Sequence, residues 1–209
     1  MAMARKNKII LTDIDGVILD WEEGFCVWME HRGHNKVEGF EKMYNIGKRY
    51  DMSGNQAHKL IKQFNDSAAI GFLPPLRDAQ YYVKLLHEKY QYKFIAITSL
   101  SLDPYAKELR QRNLNKLMGD AFIDVICLDT GADKTEILTE YGKKYPGNYW
   151  IEDKPSNLQD GVNAGLKGIL VEHGHNMDVR QVKAVVAKDW EGIYNHITGQ
   201  RLLPNILYR

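Results

Sequence analysis

Short, uninterrupted apolar runs recur along the chain, at Lys8-Ile-Ile-Leu-Thr12, Lys93-Phe-Ile-Ala-Ile97, Asp124-Val-Ile-Cys-Leu128, Tyr149-Trp-Ile151 and Gly168-Ile-Leu-Val171. Runs of this length and continuity are what strands look like when a sheet is covered on both faces, the condition of parallel sheets. Between them lie stretches of helical spacing. From Leu76 the apolar positions are Leu76, Ala79, Val83, Leu86 and Tyr90, leading straight into the second run. Asp103-Pro104 opens another helix, because Asp accepts from free amides and Pro suits a first turn. A similar start stands at Pro155-Ser156, with Gly165 placed to stop that helix. Strand and helix in alternation give an α/β fold, a Rossmann-like three-layer parallel sheet with right-handed crossovers. Ligands of such sheets bind beyond the carboxyl ends of the strands.

One stretch breaks the rhythm. About 50 residues separate the first run from Pro74-Pro75, more than an ordinary crossover needs. Trp21, Phe25, Trp28 and Met29 fall at helical spacing, as do Ala57, Leu60, Ile61 and Phe64, with Gly33, Gly39, Gly47 and Gly54 between and around them. The expected organisation is therefore a core of residues 1–19 and 75–209 with a small helical cap, 20–74, inserted after the first strand. At the C-terminal end, Val179, Val182, Val186, Trp190, Ile193 and Ile197 carry a helical pattern. No internal repeat or low-complexity tract is visible.

Four features fall at successive strand ends: Asp13-Ile-Asp15-Gly16, Thr98-Ser99, Lys134, and Glu152-Asp153. Phosphoryl transfer needs a nucleophile, a proton carrier and fixed positive charge around the transferring oxygens. Asp13 supplies the nucleophile, forming an acyl phosphate. Asp15 protonates the leaving oxygen and then deprotonates the attacking water. Gly16 lets the chain turn away. Thr98 and Ser99 are candidates to bind phosphate oxygens, and Lys134 neutralises charge as it develops. Carboxylates converging on so small a volume repel one another unless a cation sits among them, and magnesium suits all-oxygen ligands. The expected ligands are the side chains of Asp13 and Asp153, the backbone carbonyl of Asp15, and Glu152 directly or through water. Asn157 and Asp160 are candidates to steady the metal from behind, with Asp160 rather facing solvent. His173 and His175 flank Gly174 near the mouth of this site, but loop histidines are usually solvated and are assigned no role.

In these four motifs the sequence resembles the haloacid dehalogenase (HAD) superfamily, over roughly Lys8 to His175. The resemblance implies a Rossmann-like core with a mobile cap and an aspartyl-phosphate route. More narrowly, Asp13-Ile-Asp-Gly-Val-Ile-Leu-Asp-Trp21, Ile97-Thr-Ser99, Asp133-Lys-Thr135 and Ile151-Glu-Asp-Lys154 are similar to the 5'(3')-deoxyribonucleotidases, which also carry a small helical cap. That likeness implies a nucleobase facing Trp21 and partly enclosed by Phe72. The acidic pair departs from it, being Asp-Asp in the nucleotidases and Glu-Asp here, a pair also found among sugar-phosphate enzymes of the superfamily. From spacing alone, Trp21 fits a place in the cap's own aromatic core equally well.

The formal net charge of +1 gives no long-range pull toward nucleic acid or membrane, so the expected partner is a small phosphorylated compound, a nucleotide first. The two cysteines, Cys26 and Cys127, suggest neither a zinc site nor a disulfide framework. With no apolar run near the roughly 20 residues of a membrane span, and no apolar signal segment in Met1-Ala-Met-Ala-Arg-Lys-Asn-Lys8, the expected location is the cytoplasm.

Overall fold

The computed structural model describes residues 8–177 and 184–200 of the 209-residue chain. The five apolar runs form strands β1 (Ile9–Thr12), β2 (Lys93–Thr98), β3 (Phe122–Cys127), β4 (Tyr149–Glu152) and β5 (Lys167–Val171), and β6 (Val185–Ala187) adds an edge. The helices are α1 (Trp21–Glu30), α2 (Ile46–Arg49), α3 (Gly54–Asn65), α4 (Ala79–Tyr90), α5 (Pro104–Met118), α6 (Thr135–Lys144), α7 (Pro155–Asn163) and α8 (Trp190–Thr198). All strand pairs are parallel, in the order β3-β2-β1-β4-β5-β6.

Side chains alternate between the faces of a strand, and two cores result. Ile10, Phe94, Ala96 and Ile151 point to one side, where Val83 and Leu86 of α4, Leu109 and Leu114 of α5, and Trp190 and Ile193 of α8 cover them. Ile9, Leu11, Ile95 and Ile97 point to the other, beneath Leu138 and Tyr141 of α6 and Leu158 of α7. This is the three-layer α/β fold expected. The predicted helix starts are explained by their caps: the Asp103 side chain accepts from the Tyr105 amide with Pro104 in the first turn, and Pro155 opens α7.

The C-terminal helical reading needs correction. Trp190, Ile193 and Ile197 do belong to a helix, α8, but Val186 lies in β6, paired with Leu170 of β5, its side chain more than half exposed. A three-residue edge strand is too short to display a period of two, so a spacing of four to Trp190 looked helical. Val179 and Val182 lie outside the described residues.

Between β1 and α4 the chain forms α1, α2, α3 and two short 3₁₀ turns. Asp20, Asn45 and Ser53 each accept a backbone amide at the start of α1, α2 and α3 respectively, which is why the chain turns helical at those points. The outgoing and returning strands of this insertion run side by side: Asp20 N donates to Pro74 O and Leu76 N to Ile18 O. Within it, Phe25 stacks on Trp21 and Trp28, and Phe64 from α3 meets all three rings edge-on. The cap thus has an aromatic core of its own, continuous with the larger hydrophobic core beneath it.

Candidate active site

Strand order reverses at the centre of the sheet, between β1 and β4, and such a switch point opens a crevice at the carboxyl ends. Here the crevice is a cleft of about 750 Å3 between sheet edge and cap. Asp13, Asp15, Thr98, Ser99, Lys134, Glu152 and Asp153 all line it. Seven sequence-predicted residues are therefore brought together by four neighbouring strands.

Asp13 follows β1 and is nearly buried. Its Oδ1 accepts from the Ile14 amide at 2.7 Å, and Oδ2 lies 2.7 Å from the Lys134 ammonium. Lys134, 1% exposed, also reaches Glu152 Oε2 at 3.0 Å, so one cation bridges two carboxylates. This singles it out from Lys143 and Lys144, which sit in the last turn of α6. Burial, then the charge of Glu152, push the Asp13 carboxyl up to about 7 against the pull of Lys134. Asp153 is raised to about 6 by burial and by Asp13. Burial works against the charge on Lys134, yet the two carboxylates beside it leave its pKa raised.

Asp13, Glu152 and Asp153 each present a carboxylate oxygen within 4.8 Å of the others. One ammonium does not balance three carboxylates, and their mutual repulsion adds to burial in raising Asp13 and Asp153. An oxygen-only set of this charge fits a hard divalent cation such as magnesium. Glu152 is already engaged: Oε1 accepts from the Asp153 and Lys154 amides, Oε2 from Lys134 and the Asn157 side chain. With both oxygens taken, Glu152 is placed to hold Lys134 and the Asp153 turn, while the Asp153 side chain has the His175 ring 3.6 Å from its Oδ2. Asp160 accepts from the Thr135 hydroxyl on α6, away from this cluster.

Thr98 ends β2, is 1% exposed, and its hydroxyl oxygen has no hydrogen-bond partner among the described residues. A sealed, unpaired hydroxyl is costly and marks a place where a polar ligand belongs. The Ser99 hydroxyl, by contrast, donates to Ala132 O at 2.8 Å and ties the loop after β3 to that after β2. Gly16 turns with φ +75°, and a Cβ there would stand 2.8 Å from Asp153 Oδ2. Glycine is required for both reasons.

Trp21 lines the cleft, stacks on Phe25 at 4.7 Å between ring centres within the cap's aromatic cluster, and donates through Nε1 to Asn65 Oδ1 at 2.9 Å. Phe72 stands apart from the other expected residues. It is 75% exposed and absent from the cleft wall, because the turn Ala68–Phe72 buries Ile70 and presses Gly71 against Leu109, leaving the next side chain pointing to solvent.

Several residues of the site went unassigned in the sequence. Arg110 of α5, fully buried, forks onto Asp15, Nη1 to Oδ1 at 2.6 Å and Nη2 to Oδ2 at 3.1 Å. A signal for it existed: Ala106, Arg110 and Leu114 follow one another at intervals of four along the buried stripe of α5, where a charge is out of place. His173 and His175 stack at 5.4 Å in the cleft wall rather than in solvent, and His173 Nε2 lies 2.6 Å from Gly16 O. Asn176 donates to Asp153 O and Val171 O, fixing the turn that carries Asp153. Asn65, at the end of α3, donates to Leu100 O and ties the cap to the loop after β2.

No protein-family model matches the chain. A 32.4 kDa uncharacterised protein from the Gp30-rIII intergenic region of Enterobacteria phage T4 is 34% identical over 151 residues, 69% of this chain and 53% of that protein. The match thus spans about half the length of that relative. Among solved structures, a haloacid dehalogenase-like family hydrolase from Streptococcus pneumoniae superimposes with TM-score 0.66 at 13% identity, over 91% of this chain and 98% of the other. The D,D-heptose 1,7-bisphosphate phosphatase of B. bronchiseptica, complexed with magnesium and phosphate, matches at TM-score 0.56 and 13% identity over 93% and 99%. The L-2-haloacid dehalogenase of Xanthobacter autotrophicus, with chloropropionic acid covalently bound, matches at TM-score 0.60 and 10% identity over 94% and 100%. The fold is that of the HAD hydrolases.

Proposed function

We propose that this chain is a magnesium-dependent phosphatase of HAD type, hydrolysing a small phosphomonoester through an aspartyl phosphate on Asp13. The observation that carries this reading is the meeting, at one sheet edge, of the Asp13 carboxylate, the Lys134 ammonium and the unpartnered Thr98 hydroxyl. Displacement of a halide from carbon requires neither a proton for the leaving group nor a clustered set of acidic ligands. The Asp15 carboxyl and the three-carboxylate cluster favour phosphoryl transfer for this chain.

In the first step an Asp13 oxygen attacks phosphorus, the bond from phosphorus to the ester oxygen breaks, and the departing oxygen takes the proton of Asp15. In the second, water attacks phosphorus, Asp15 takes back a proton, and the bond between Asp13 and phosphorus breaks, releasing inorganic phosphate and restoring both carboxyl groups. Thr98 donates its hydroxyl hydrogen to a phosphate oxygen, and Lys134 compensates the charge that moves from Asp13 onto the phosphoryl group. Asp13 and Asp153, with the backbone carbonyl of Asp15, would hold magnesium, which supplies positive charge against the phosphate oxygens when bound. Ser99 is assigned a contact to phosphate through its backbone amide, since its hydroxyl hydrogen is already engaged.

A nucleoside monophosphate is the favoured substrate, with Trp21 supported as a stacking wall by its place beside the cleft. Sugar phosphates are the alternative, consistent with the Glu152-Asp153 pair; the near-neutral chain is poorly suited to nucleic-acid ends. No helix among the described residues is long and apolar enough to cross a membrane, and the cytoplasm is the proposed location. The test is phosphate release from deoxynucleotides and sugar phosphates with magnesium, for wild type and Asp13→Asn. Activity in wild type and its loss in the variant are expected; a variant as active as wild type sinks the nucleophile. Trp21→Ala should raise KM for nucleotides by roughly 5- to 150-fold, the worth of one stacked base, and by less for sugar phosphates. Equal effects on both would remove the stacking role.

A further inference from the structure

We propose that Arg110 is a positioning residue for the acid/base group: its two-pronged hydrogen bond fixes the plane of the Asp15 carboxyl and leaves one edge of it facing the cleft. The inference rests on the phosphatase reading above and adds to it a residue that lies outside the cleft wall.

Arg110 is fully buried on α5, its partner Asp15 is 22% exposed at the side chain, and both terminal nitrogens are engaged with that one carboxyl. The third donor group, Nε, is buried without a partner among the described residues. As a stabilising device this is poor. Removing a guanidinium from water costs several kcal/mol, a single ion pair repays that incompletely, and a stranded Nε–H adds to the loss. A leucine or methionine on the stripe between Ala106 and Leu114 would hold α5 to the sheet at less cost. What the fork does supply is geometry, because a planar guanidinium bound at two points fixes both the rotation and the plane of a carboxyl, which a lysine ammonium cannot do.

The placement suits a proton carrier. Each carboxylate oxygen has two lone pairs, and the fork uses one on each. The remaining pair on the exposed edge is free to carry the proton that passes to the leaving oxygen and returns from water. The two aspartates are also served by different cations: Asp13 by Lys134, a point charge that can turn toward phosphate, and Asp15 by Arg110, held in the core. Arg110 stands on α5 rather than in the cap insertion.

The test compares wild type, Arg110→Lys, Asp15→Asn and the double variant on two substrates, a glycerol phosphate, whose leaving alcohol needs a proton, and p-nitrophenyl phosphate, whose leaving phenolate does not. Arg110→Lys keeps the buried charge and loses the fork. It should lower kcat on glycerol phosphate by about 10- to 100-fold, part of what a positioned acid contributes, with KM little changed. The pre-steady-state burst of nitrophenolate should fall much less. In the Asp15→Asn background, Arg110→Lys should have no further effect. Additive losses in the double variant, or equal losses with both leaving groups, would overturn the assignment. So would an Arg110→Lys protein that fails to fold by thermal melt, since the fork would then serve the core. Absence of activity from wild type would instead overturn the phosphatase reading on which this one stands.

Discussion

Thr98→Val separates stability from activity in opposite directions. The hydroxyl of Thr98 is sealed and unpaired while the side chain itself is 1% exposed at the end of a central strand. Valine has the same shape and the same β-branch, so it removes the stranded polar atom without opening a cavity. An unsatisfied buried hydroxyl costs about 1–3 kcal/mol. In a chain of this size each kcal/mol moves the melting temperature by about 2–4 °C, so the ligand-free variant should melt several degrees above wild type. The same atom, donating to a charged phosphate oxygen, is worth about 1.5–3 kcal/mol in the transition state, or roughly a 10- to 150-fold drop in kcat/KM. Scanning calorimetry without ligand and steady-state phosphate release measure the two halves. Inorganic phosphate with magnesium should stabilise wild type more than the variant. A variant that melts below wild type, or one that hydrolyses substrate undiminished, refutes the reasoning that an unpaired hydroxyl is held ready for phosphate.

Lys134→Met leaves Asp13 and Glu152 facing each other without the ammonium that bridges them. Breaking such a buried set should cost about 3–5 kcal/mol in urea unfolding with chelator present, and adding Glu152→Gln should recover part of it; an unchanged midpoint in the single variant would count against the bridge. On the far side of the molecule, Asp120 is held at about 2 by hydrogen bonds from Lys93 and His87. Because its folded value lies below the ordinary 3.8, this contribution is present above that pH and lost as pH falls toward 2. The stability gap between wild type and Asp120→Asn should therefore narrow over that range, and a gap independent of pH would exclude the ion pairs as its source.

The strands and the gathering of the candidate residues at one cleft were legible in the sequence for one reason. Burial on both faces writes a strand as a continuous apolar run, and a parallel sheet delivers every following polar residue to the same edge, so Asp13, Thr98, Lys134 and Asp153 can be matched by strand number alone. What was not legible is what depends on rotation about a helix axis or on chain returning from far away. Phe72 was expected at the base pocket, but Ile70 and Gly71 settle which way that turn faces, by packing that has no local signature. β6 was hidden because three residues cannot display a period. Arg110 was hidden although its misfit on an apolar stripe was in plain view, since its meaning lies in Asp15, 95 residues earlier in the chain. Trp21 shows where the two kinds of information meet. Its helical spacing correctly placed it in the cap's aromatic stack, yet it also lines the cleft, where it bonds to Asn65, which in turn holds the loop after β2. A residue can thus belong to a core and to a wall, and for Trp21 spacing alone could never have chosen between them.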